Sequence, residues 1–205
     1  MQPTIFIADD DAAVRDSLGL LLESAGYRVR CFASGSDFLA AAPSSEDGCL
    51  IIDVRMPGIG GLEIQDRLRA EGTALPVIVI TGYGDVPLAV RAMRAGAVDF
   101  VEKPFTEEEI LAAVDRALEL GRQKQRAGAE ATEAEARLSL LSAREHQVMH
   151  LLISGKQNKL IAYELGISPR TVEIHRARIM QKTRARSLSE LVRWAIASGI
   201  ASGAA

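Results

Sequence analysis

The stretch IFIADDDAAV, residues 5–14, ends a short apolar run with three adjacent carboxylates, Asp9, Asp10 and Asp11. An apolar run of this length that stops at polar residues predicts a buried strand. Three like charges at a strand end repel one another and raise each other's pKa unless a cation neutralises them. The sequence therefore predicts an acidic, cation-binding site at the end of the first strand. Asp11 also begins the next helix, where we expect it to accept hydrogen bonds from free backbone N–H groups.

The first 120 residues contain five successive pairs of a strand and a helix. Runs such as Val77-Ile78-Val79-Ile80 are apolar without alternation, which indicates strands that are buried on both faces of a parallel sheet. This pattern predicts an α/β fold, a five-stranded doubly wound parallel sheet. Strands are predicted near 4–8, 28–33, 49–53, 76–80 and 98–101, and helices near 12–25, 35–42, 61–71, 86–95 and 107–120.

Polar side chains follow four of these strands, and the carboxyl ends of parallel strands meet at one edge of a sheet. The predicted set at this edge is Asp9, Asp10, Asp53, Thr81 and Lys103. A small number of oxygen ligands suits Mg²⁺, which is bound through a few carboxylates together with a phosphate. The edge of the sheet is therefore a candidate magnesium and phosphate site.

Residues 121–138 are polar and rich in alanine, which predicts a helical linker after a first domain at 1–120. Residues 139–205 lack a strand pattern and contain four short helical segments, so we expect an all-α second domain. Ser142 with Glu145 has the form of a capping box, and Ser168 with Pro169 that of a helix start.

Charge is divided unevenly between the two parts of the chain. Residues 1–120 hold 20 Asp and Glu against 10 Lys and Arg, whereas residues 121–205 hold 7 against 14. An acidic part tolerates a cation, and a basic part attracts a polyanion such as DNA.

The segment NKLIAYELGISPRTVEIHRARIM, residues 158–180, has the proportions of a helix-turn-helix. Val172, His175 and Ile179 fall on one side of its second helix, which predicts a packed inner face. The opposite, DNA-facing side and the neighbouring phosphate contacts are predicted to include Lys159, Arg170, Thr171, Glu173, Ile174, Arg176, Ala177, Arg178, Gln181 and Lys182. Lys156, Arg184 and Arg186 are further candidates for phosphate contacts.

The stretches ADDD, IIDVRMPGIGG, VIVITGYGD and AGAVDFVEKPF, in this order and spacing, resemble the receiver domain of two-component response regulators. The resemblance implies that Asp53 accepts a phosphoryl group from a histidine kinase, and that Thr81 and Lys103 contact the phosphoryl oxygens. It implies Mg²⁺ bound directly by Asp10 and Asp53, by the backbone carbonyl of Arg55, and by Asp9 through water. It also implies a flavodoxin-like sheet, a cis bond between Lys103 and Pro104, and a switch formed by Thr81 and Phe100.

The C-terminal segment, from LSAREHQVM at 141–149 onward, resembles the four-helix DNA-binding domain of the LuxR/FixJ type. Together the two resemblances imply a phosphorylation-switched transcription activator whose partners are a sensor histidine kinase, promoter DNA and RNA polymerase. They also imply a homodimer when phosphorylated, and we expect helix 86–95 and strand 98–101 to form its interface.

Two other functions fit parts of the pattern. A magnesium-dependent phosphatase with an aspartyl nucleophile would use the same acidic site, although the chain has no substrate-specificity insertion. A phosphorylation-gated protein-binding module would not need the basic charge of residues 139–205, which hold 10 basic and 4 acidic residues. Otherwise we expect no enzymatic activity beyond the protein's own phosphorylation and dephosphorylation.

The remaining expectations concern location and cysteines. The sequence has no apolar stretch of roughly 20 residues and no basic leader, so we expect a cytoplasmic protein without a membrane span. Cys31 and Cys49 lie in apolar segments and are expected to be buried free thiols. His146 and His150 are four residues apart on a helix, and we expect them to be exposed and not metal ligands.

Overall fold

The computed structural model describes residues 2–41, 47–73, 75–82 and 86–200. The chain divides into two compact units, Met1–Gln125 and Arg126–Ala205. Among the described residues, two buried apolar clusters lie in the first unit and one lies in the second. No helix among the described residues is long and apolar enough to cross a bilayer.

The first unit is a parallel five-stranded sheet with the strand order β2-β1-β3-β4-β5. Its elements are β1 (Thr4–Ala8), α1 (Ala12–Ser24), β2 (Arg28–Phe32), α2 (Gly35–Ala41), β3 (Gly48–Asp53), α3 (Gly61–Ala70), β4 (Val77–Thr81), α4 (Val86–Arg94), β5 (Asp99–Glu102) and the first part of α5 (Glu107–Leu138). The predicted flavodoxin-like sheet is thus confirmed, with strand limits within about two residues of those expected.

One apolar cluster covers each face of this sheet. Ile5 and Ile7 of β1 belong to the cluster that includes residues of α1 and α5, whereas Phe6 belongs to the cluster that includes residues of α2 and α3. Residues of β1, β3 and β4 are buried without alternation because both faces are covered. The strands are paired so that Ala8 lies beside Ile52, which brings Asp9 and Asp53 to the same edge.

The second unit consists of the end of α5 followed by four helices that share one core. These helices are α6 (Ala143–Ile153), α7 (Asn158–Leu165), α8 (Pro169–Thr183) and α9 (Leu188–Ala197). The predicted capping box of Ser142 and Glu145 is present, and Ser168 caps α8 with Pro169 in its first turn. Helix α7 ends at Gly166, whose φ of 63° is accessible to glycine without strain.

Cys31 is a free thiol as expected, but its predicted burial is wrong, because its side chain is exposed. Cys31 lies on β2 at the edge of the sheet, where a second flanking strand is missing. Cys49 is buried as expected, and burial raises the pKa of its thiol to about 12. The predicted helical residue Ala42, residues 83–85 of the VIVITGYGD stretch and residues 201–205 of the predicted second domain lie outside the described residues.

Candidate functional site

A lysine and two buried aspartates meet at the carboxyl edge of the sheet. The Nζ atom of Lys103 lies 2.6 Å from Oδ2 of Asp9 and 2.8 Å from Oδ1 of Asp53. Asp9 is 1% exposed and Asp53 is 6% exposed, so both carboxylates are largely removed from water. A single ammonium group therefore neutralises part of a buried pair of negative charges.

The charge of Lys103 is stabilised by its two partners. Burial opposes the charged ammonium, but hydrogen bonds to Asp53 and Asp9 outweigh burial and hold the pKa of Lys103 above its usual value. The backbone N–H of Lys103 donates to the carbonyl of Thr81 at 2.7 Å, which fixes the residue at the end of β4. The bond between Lys103 and Pro104 is cis, as expected.

Asp53 is held on both of its oxygens. Oδ1 accepts from Lys103, and Oδ2 accepts from the backbone N–H of Arg55 at 2.6 Å. Helix α3 begins close to the backbone of Asp53 because Gly61 has no Cβ, and a Cβ there would lie 2.4 Å from the Asp53 carbonyl oxygen. The carboxylate is therefore oriented before any ligand binds.

Asp9 is fixed by the start of α1. Its Oδ1 accepts from the backbone N–H of Asp11 at 2.9 Å, and its carbonyl accepts from Nη1 of Arg15 at 2.7 Å. Asp11 also accepts from the N–H of Ala13 and caps α1, as predicted. Sequence reasoning missed Arg15, which lies six residues beyond Asp9 and carries no motif signal.

Asp10 is exposed, unlike its neighbour Asp9. Within residues 2–41, 47–73, 75–82 and 86–200, no group of three or more His, Cys, Asp or Glu side chains has an arrangement that would hold a metal ion. Two of the three predicted acids, Asp9 and Asp53, are thus brought together by Lys103. The assignment of Asp10 and of the Arg55 carbonyl as magnesium ligands stays a prediction.

The donor chemistry of this edge fits Mg²⁺. Its acidic side chains offer only oxygen donors, and Lys103 supplies one positive charge against the two buried carboxylates. Hard oxygen donors in small number, with room left for water and phosphate oxygens, are what Mg²⁺ prefers. Asp9 and Asp53 would supply carboxylate oxygens to the ion, and the contributions of Asp10 and of the Arg55 carbonyl stay predictions.

The two predicted switch residues occupy neighbouring strands. Thr81 ends β4 and is 1% exposed. Phe100 lies on β5 beside Val79, and its half-buried ring packs against the apolar cluster that contains Val79 and Ala92. Thr81 pairs with Glu102 of β5, so a movement of Thr81 can be transmitted to β5. The switching itself stays a prediction.

The second helix of the predicted helix-turn-helix exposes the expected face. Val172 and Ile179 are fully buried and His175 is half-buried, in agreement with the predicted inner face. The exposed residues on the predicted outer face of α8 are Arg170, Glu173, Ile174, Ala177, Arg178, Gln181 and Lys182. Thr171 is half-buried and its Oγ1 lies 2.9 Å from Oγ of Ser168, within the helix start. Exposed Lys159 lies near the start of α7.

Three of the predicted phosphate-binding cations have partners within the unit. Lys182 donates to Oε2 of Glu145 at 2.7 Å, and Arg176 donates to Oδ1 of Asn158 at 2.7 Å. Lys156 donates to both carboxylate oxygens of Glu164. These pairs fix the cations beside α7 and α8, and a phosphate contact would have to share or displace the present partner.

Glu145 links the start of α6 to the end of α8 and supplies a pH-dependent prediction. The hydrogen bond from Lys182 and that from the Ser142 backbone lower the pKa of Glu145 to about 2. Because the pKa of Glu145 in the folded unit lies below its ordinary value, the ionised carboxylate stabilises the folded unit above about pH 4.5, and this stabilisation is lost as the pH falls towards 2.

We expect Glu145→Gln to lower the unfolding free energy of the helical unit by about 1–2 kcal/mol at pH 7.

Urea unfolding followed by fluorescence of Trp194, the single tryptophan, measures this unit in the full chain. The difference between the parent and Glu145→Gln should shrink as the pH falls from 5 to about 2.5. Glu135→Gln, which changes an exposed glutamate of the same unit, is the matched control. A difference that is independent of pH would contradict the assigned role of the carboxylate.

The predicted exposure of the two histidines holds for one of them. His150 is exposed as expected, whereas His146 is half-buried. Helix α6 turns one side towards the core through Val148, Met149 and Leu152, and His146 lies at the border of that side.

Two family models match the chain. The model described as "Response regulator receiver domain" matches residues 5–115, which contain the whole acidic site, and "Bacterial regulatory proteins, luxR family" matches residues 139–195. The chain belongs to the two-component response regulators. It combines a receiver domain with a LuxR-type DNA-binding domain, as the sequence predicted.

Several curated relatives match this response regulator over nearly its full length. The transcriptional regulatory protein FixJ of Bradyrhizobium diazoefficiens is 49% identical over 196 residues, which are 96% of each chain. FixJ of Rhizobium meliloti is 47% identical with the same coverage. The response regulator protein TodT of Pseudomonas putida is 46% identical over 92% of this chain and 83% of its own.

Solved structures agree with the fold. The response regulator StyR has a TM-score of 0.81 at 44% identity and covers 96% of this chain and 99% of its own. Full-length FixJ from B. japonicum has a TM-score of 0.60 at 48% identity and covers 98% of both chains.

Proposed function

We propose that this response regulator accepts a phosphoryl group on Asp53 from a sensor histidine kinase and, when phosphorylated, binds promoter DNA to activate transcription. The observation that carries the proposal is the contact of one ammonium group, Lys103, with the buried carboxylates of Asp9 and Asp53. Phosphoryl transfer needs an oriented nucleophile and positive charge more than it needs an acid or a base. The receiver edge supplies the nucleophile and one of the cations.

In this reaction an oxygen of Asp53 forms a bond to phosphorus while the bond from phosphorus to the donor imidazole nitrogen breaks. The electron pair of that bond leaves with the imidazole. Lys103 stays protonated and keeps its contact with Asp9. Its ammonium group donates to the phosphoryl oxygens as negative charge develops on them. Bound Mg²⁺ would offset the remaining negative charge of the carboxylates and the phosphoryl group.

A groove beside Lys103 supports a protein as the phosphoryl donor. It has a volume of about 500 Å³ and is lined by Ala13, Val14 and Ser17 of α1 and by Pro104 and Phe105. Apolar side chains that border a phosphate site can hold a helix of the donor while its histidine reaches Asp53. The receiver would then catalyse only its own phosphorylation and dephosphorylation.

The phosphorylation half of the proposal is tested with a small-molecule donor. Incubation with acetyl phosphate and Mg²⁺ should give an acid-labile modification, which peptide mapping by mass spectrometry should place on Asp53. Chelation of Mg²⁺ should prevent it. A modification on another residue, or steady turnover of phosphate esters without a labelled protein, would contradict the proposal.

We assign contact with promoter DNA to α8 and to the predicted phosphate-binding cations beside it. Arg170 and Arg178 are exposed on one face, at a spacing that lets their guanidinium groups reach guanine or phosphate in the major groove. Glu173 can accept from cytosine, and Ile174, which is 47% exposed, can contact a thymine methyl group. RNA polymerase is the expected partner once the protein is bound beside a promoter.

We further propose that phosphorylation promotes a homodimer through α4 and β5. Three apolar residues of α4 are exposed, namely Val86 at 74%, Val90 at 43% and Met93 at 47%. Together with Arg91 and Arg94 they give the helix an apolar and basic surface. A phosphoryl group that attracts the Thr81 hydroxyl would shift the conformational equilibrium of the adjacent strand β5, and with it that of this surface.

Sedimentation tests the dimer. The parent with beryllofluoride and Mg²⁺ should sediment as a dimer at concentrations where the untreated protein is a monomer. Val90→Asp should weaken the dimer by at least about tenfold, because it places a charge in an apolar interface. Leu20→Asp, at a residue of α1 that is 72% exposed, is the control. A monomer under both conditions would exclude this interface.

A further inference from the structure

Arg137 lies near the end of α5 and contacts two other helices of the second unit. Its Nη1 donates to the backbone carbonyl of Thr183, the last residue of α8, at 2.8 Å. Its guanidinium carbon lies 4.5 Å from the ring centroid of Trp194 on α9, a distance that allows a cation–π contact. One side chain therefore joins the ends of α5 and α8 to the middle of α9.

The guanidinium is oriented by its own helix. Its Nε and Nη2 donate to Oε1 of Glu133, one turn earlier, at 3.1 and 2.6 Å. A planar guanidinium can make this fork, stack on an indole ring and still reach a carbonyl, whereas a lysine ammonium cannot make all three contacts at once. The interaction is therefore specific for arginine and does not depend on positive charge alone.

The contact of Arg137 with Thr183 lies at the C-terminal end of α8. The last carbonyls of a helix have no partner within the helix, and a cation near them also stabilises the helix dipole. Thr183 is completely buried and is followed by Arg184 in a left-handed conformation with φ of 55°, so α8 stops there. Arg137 satisfies the carbonyl of this terminal residue from outside the helix-turn-helix.

The part of α5 around Arg137 is packed into the second unit. Ala134 and Leu138 are 0% and 1% exposed, and Leu138 belongs to the same apolar cluster as Val172 and Ile179 of α8. The unit begins at Arg126, whereas the LuxR-family model begins to match at residue 139. Residues 126–138 thus add a helical segment to the unit, upstream of the matched domain.

We propose that Arg137 is a positioning residue for DNA recognition, which holds the C-terminal end of the recognition helix α8 through Thr183 and Trp194 without touching DNA itself. The inference rests on the proposed reading of DNA by α8. It predicts that the last turn of α8, which carries Gln181 and Lys182, loses its fixed position when the guanidinium is removed.

The test compares Arg137→Gln and Arg137→Lys with the parent in the full chain. Arg126→Gln is the matched control, because it removes the same charge from an exposed arginine of the same helix and unit. The probe is a DNA duplex that the acetyl-phosphate-treated parent selects from a random-sequence library. Affinity is measured over a range of salt concentrations, and acrylamide quenching of Trp194 reports on the stacked guanidinium.

Both Arg137 variants should bind the duplex about 5- to 10-fold more weakly than the parent, with the same dependence of affinity on salt. Both should show greater quenching of Trp194, and Arg126→Gln should match the parent in both measurements. Because Arg137→Lys keeps the charge and the aliphatic stem, it keeps the test valid if far-UV circular dichroism shows that the glutamine variant has lost helix.

Other outcomes would overturn the proposal. Full affinity in Arg137→Lys together with a salt slope reduced by about 0.9 in Arg137→Gln would indicate a direct phosphate contact. If both variants matched the parent in affinity and in quenching, the contact of Arg137 would not position the end of α8. If the parent itself selected no DNA, the proposed function would fail, and unchanged or increased quenching of Trp194 would still decide whether Arg137 holds this end of α8.

Discussion

Asp53→Asn is expected to abolish phosphorylation by acetyl phosphate, to less than about 1% of the parent's rate, because an amide oxygen is a poor nucleophile compared with a carboxylate. The site itself should stay in place. An asparagine oxygen can accept a hydrogen bond from the Arg55 N–H or from Lys103, as the Asp53 carboxylate does at 2.6 and 2.8 Å. Loss of phosphorylation would therefore be a chemical effect and not a folding effect.

Phosphate-affinity gel electrophoresis after incubation with acetyl phosphate and Mg²⁺ measures this result directly. Asp16→Asn is the matched control, since it makes the same substitution at an exposed aspartate of α1 and should be phosphorylated like the parent. An acid-labile phosphate on the Asp53→Asn protein, at the parent's level, would show that another residue is the acceptor.

Lys103→Met should reduce the rate of phosphorylation by about 100-fold or more, because it removes the fixed cation from the reacting phosphoryl group. It also leaves Asp9 and Asp53 as neighbouring buried carboxylates without their shared ammonium. Removing one partner of a buried ion pair costs about 3 kcal/mol, so the receiver should unfold at a lower temperature. Mg²⁺ should stabilise this variant more than the parent, since the ion becomes the main source of positive charge at the edge.

Calorimetry with and without Mg²⁺, together with the phosphorylation assay, tests both parts of this prediction. Lys124→Met, which removes an exposed lysine from the first unit, should behave like the parent. If Lys103→Met unfolded at the parent's temperature and responded to Mg²⁺ in the same way, the contacts of Lys103 with the two aspartates would not matter for the site.

The sheet and its polar edge could be predicted from sequence because both follow from short-range patterns. Continuous apolar runs such as Val77–Ile80 indicate strands covered on both faces, and the alternation with helices indicates that they are parallel. Once the strands are parallel, Asp53, Thr81 and Lys103 must lie at the same edge, whatever the strand order. The helix starts at Ser142 and Ser168 were predictable for the same reason, since each cap depends on residues that are close in sequence.

Features that depend on strand order or on distant contacts were not predictable. Cys31 is exposed because β2 is an edge strand, and its apolar neighbours give no sign of that position. The contact of Arg15 with the Asp9 carbonyl and the pairing of Lys182 with Glu145 join residues on different elements. Composition indicated helix at residues 121–138, which form part of α5, but the anchoring of the last residues of α5 by Arg137 required the position of Thr183, 46 residues away.

The central claim is that a phosphoryl group on Asp53 changes DNA binding by the helical unit of the same chain. The most direct test is the affinity of the parent for a selected DNA duplex, measured before and after treatment with acetyl phosphate and Mg²⁺, with mass spectrometry to verify the phosphate on Asp53. The account predicts an increase of at least about tenfold in the parent and no change in Asp53→Asn. Identical binding curves for the unmodified parent and for protein fully phosphorylated at Asp53 would contradict it.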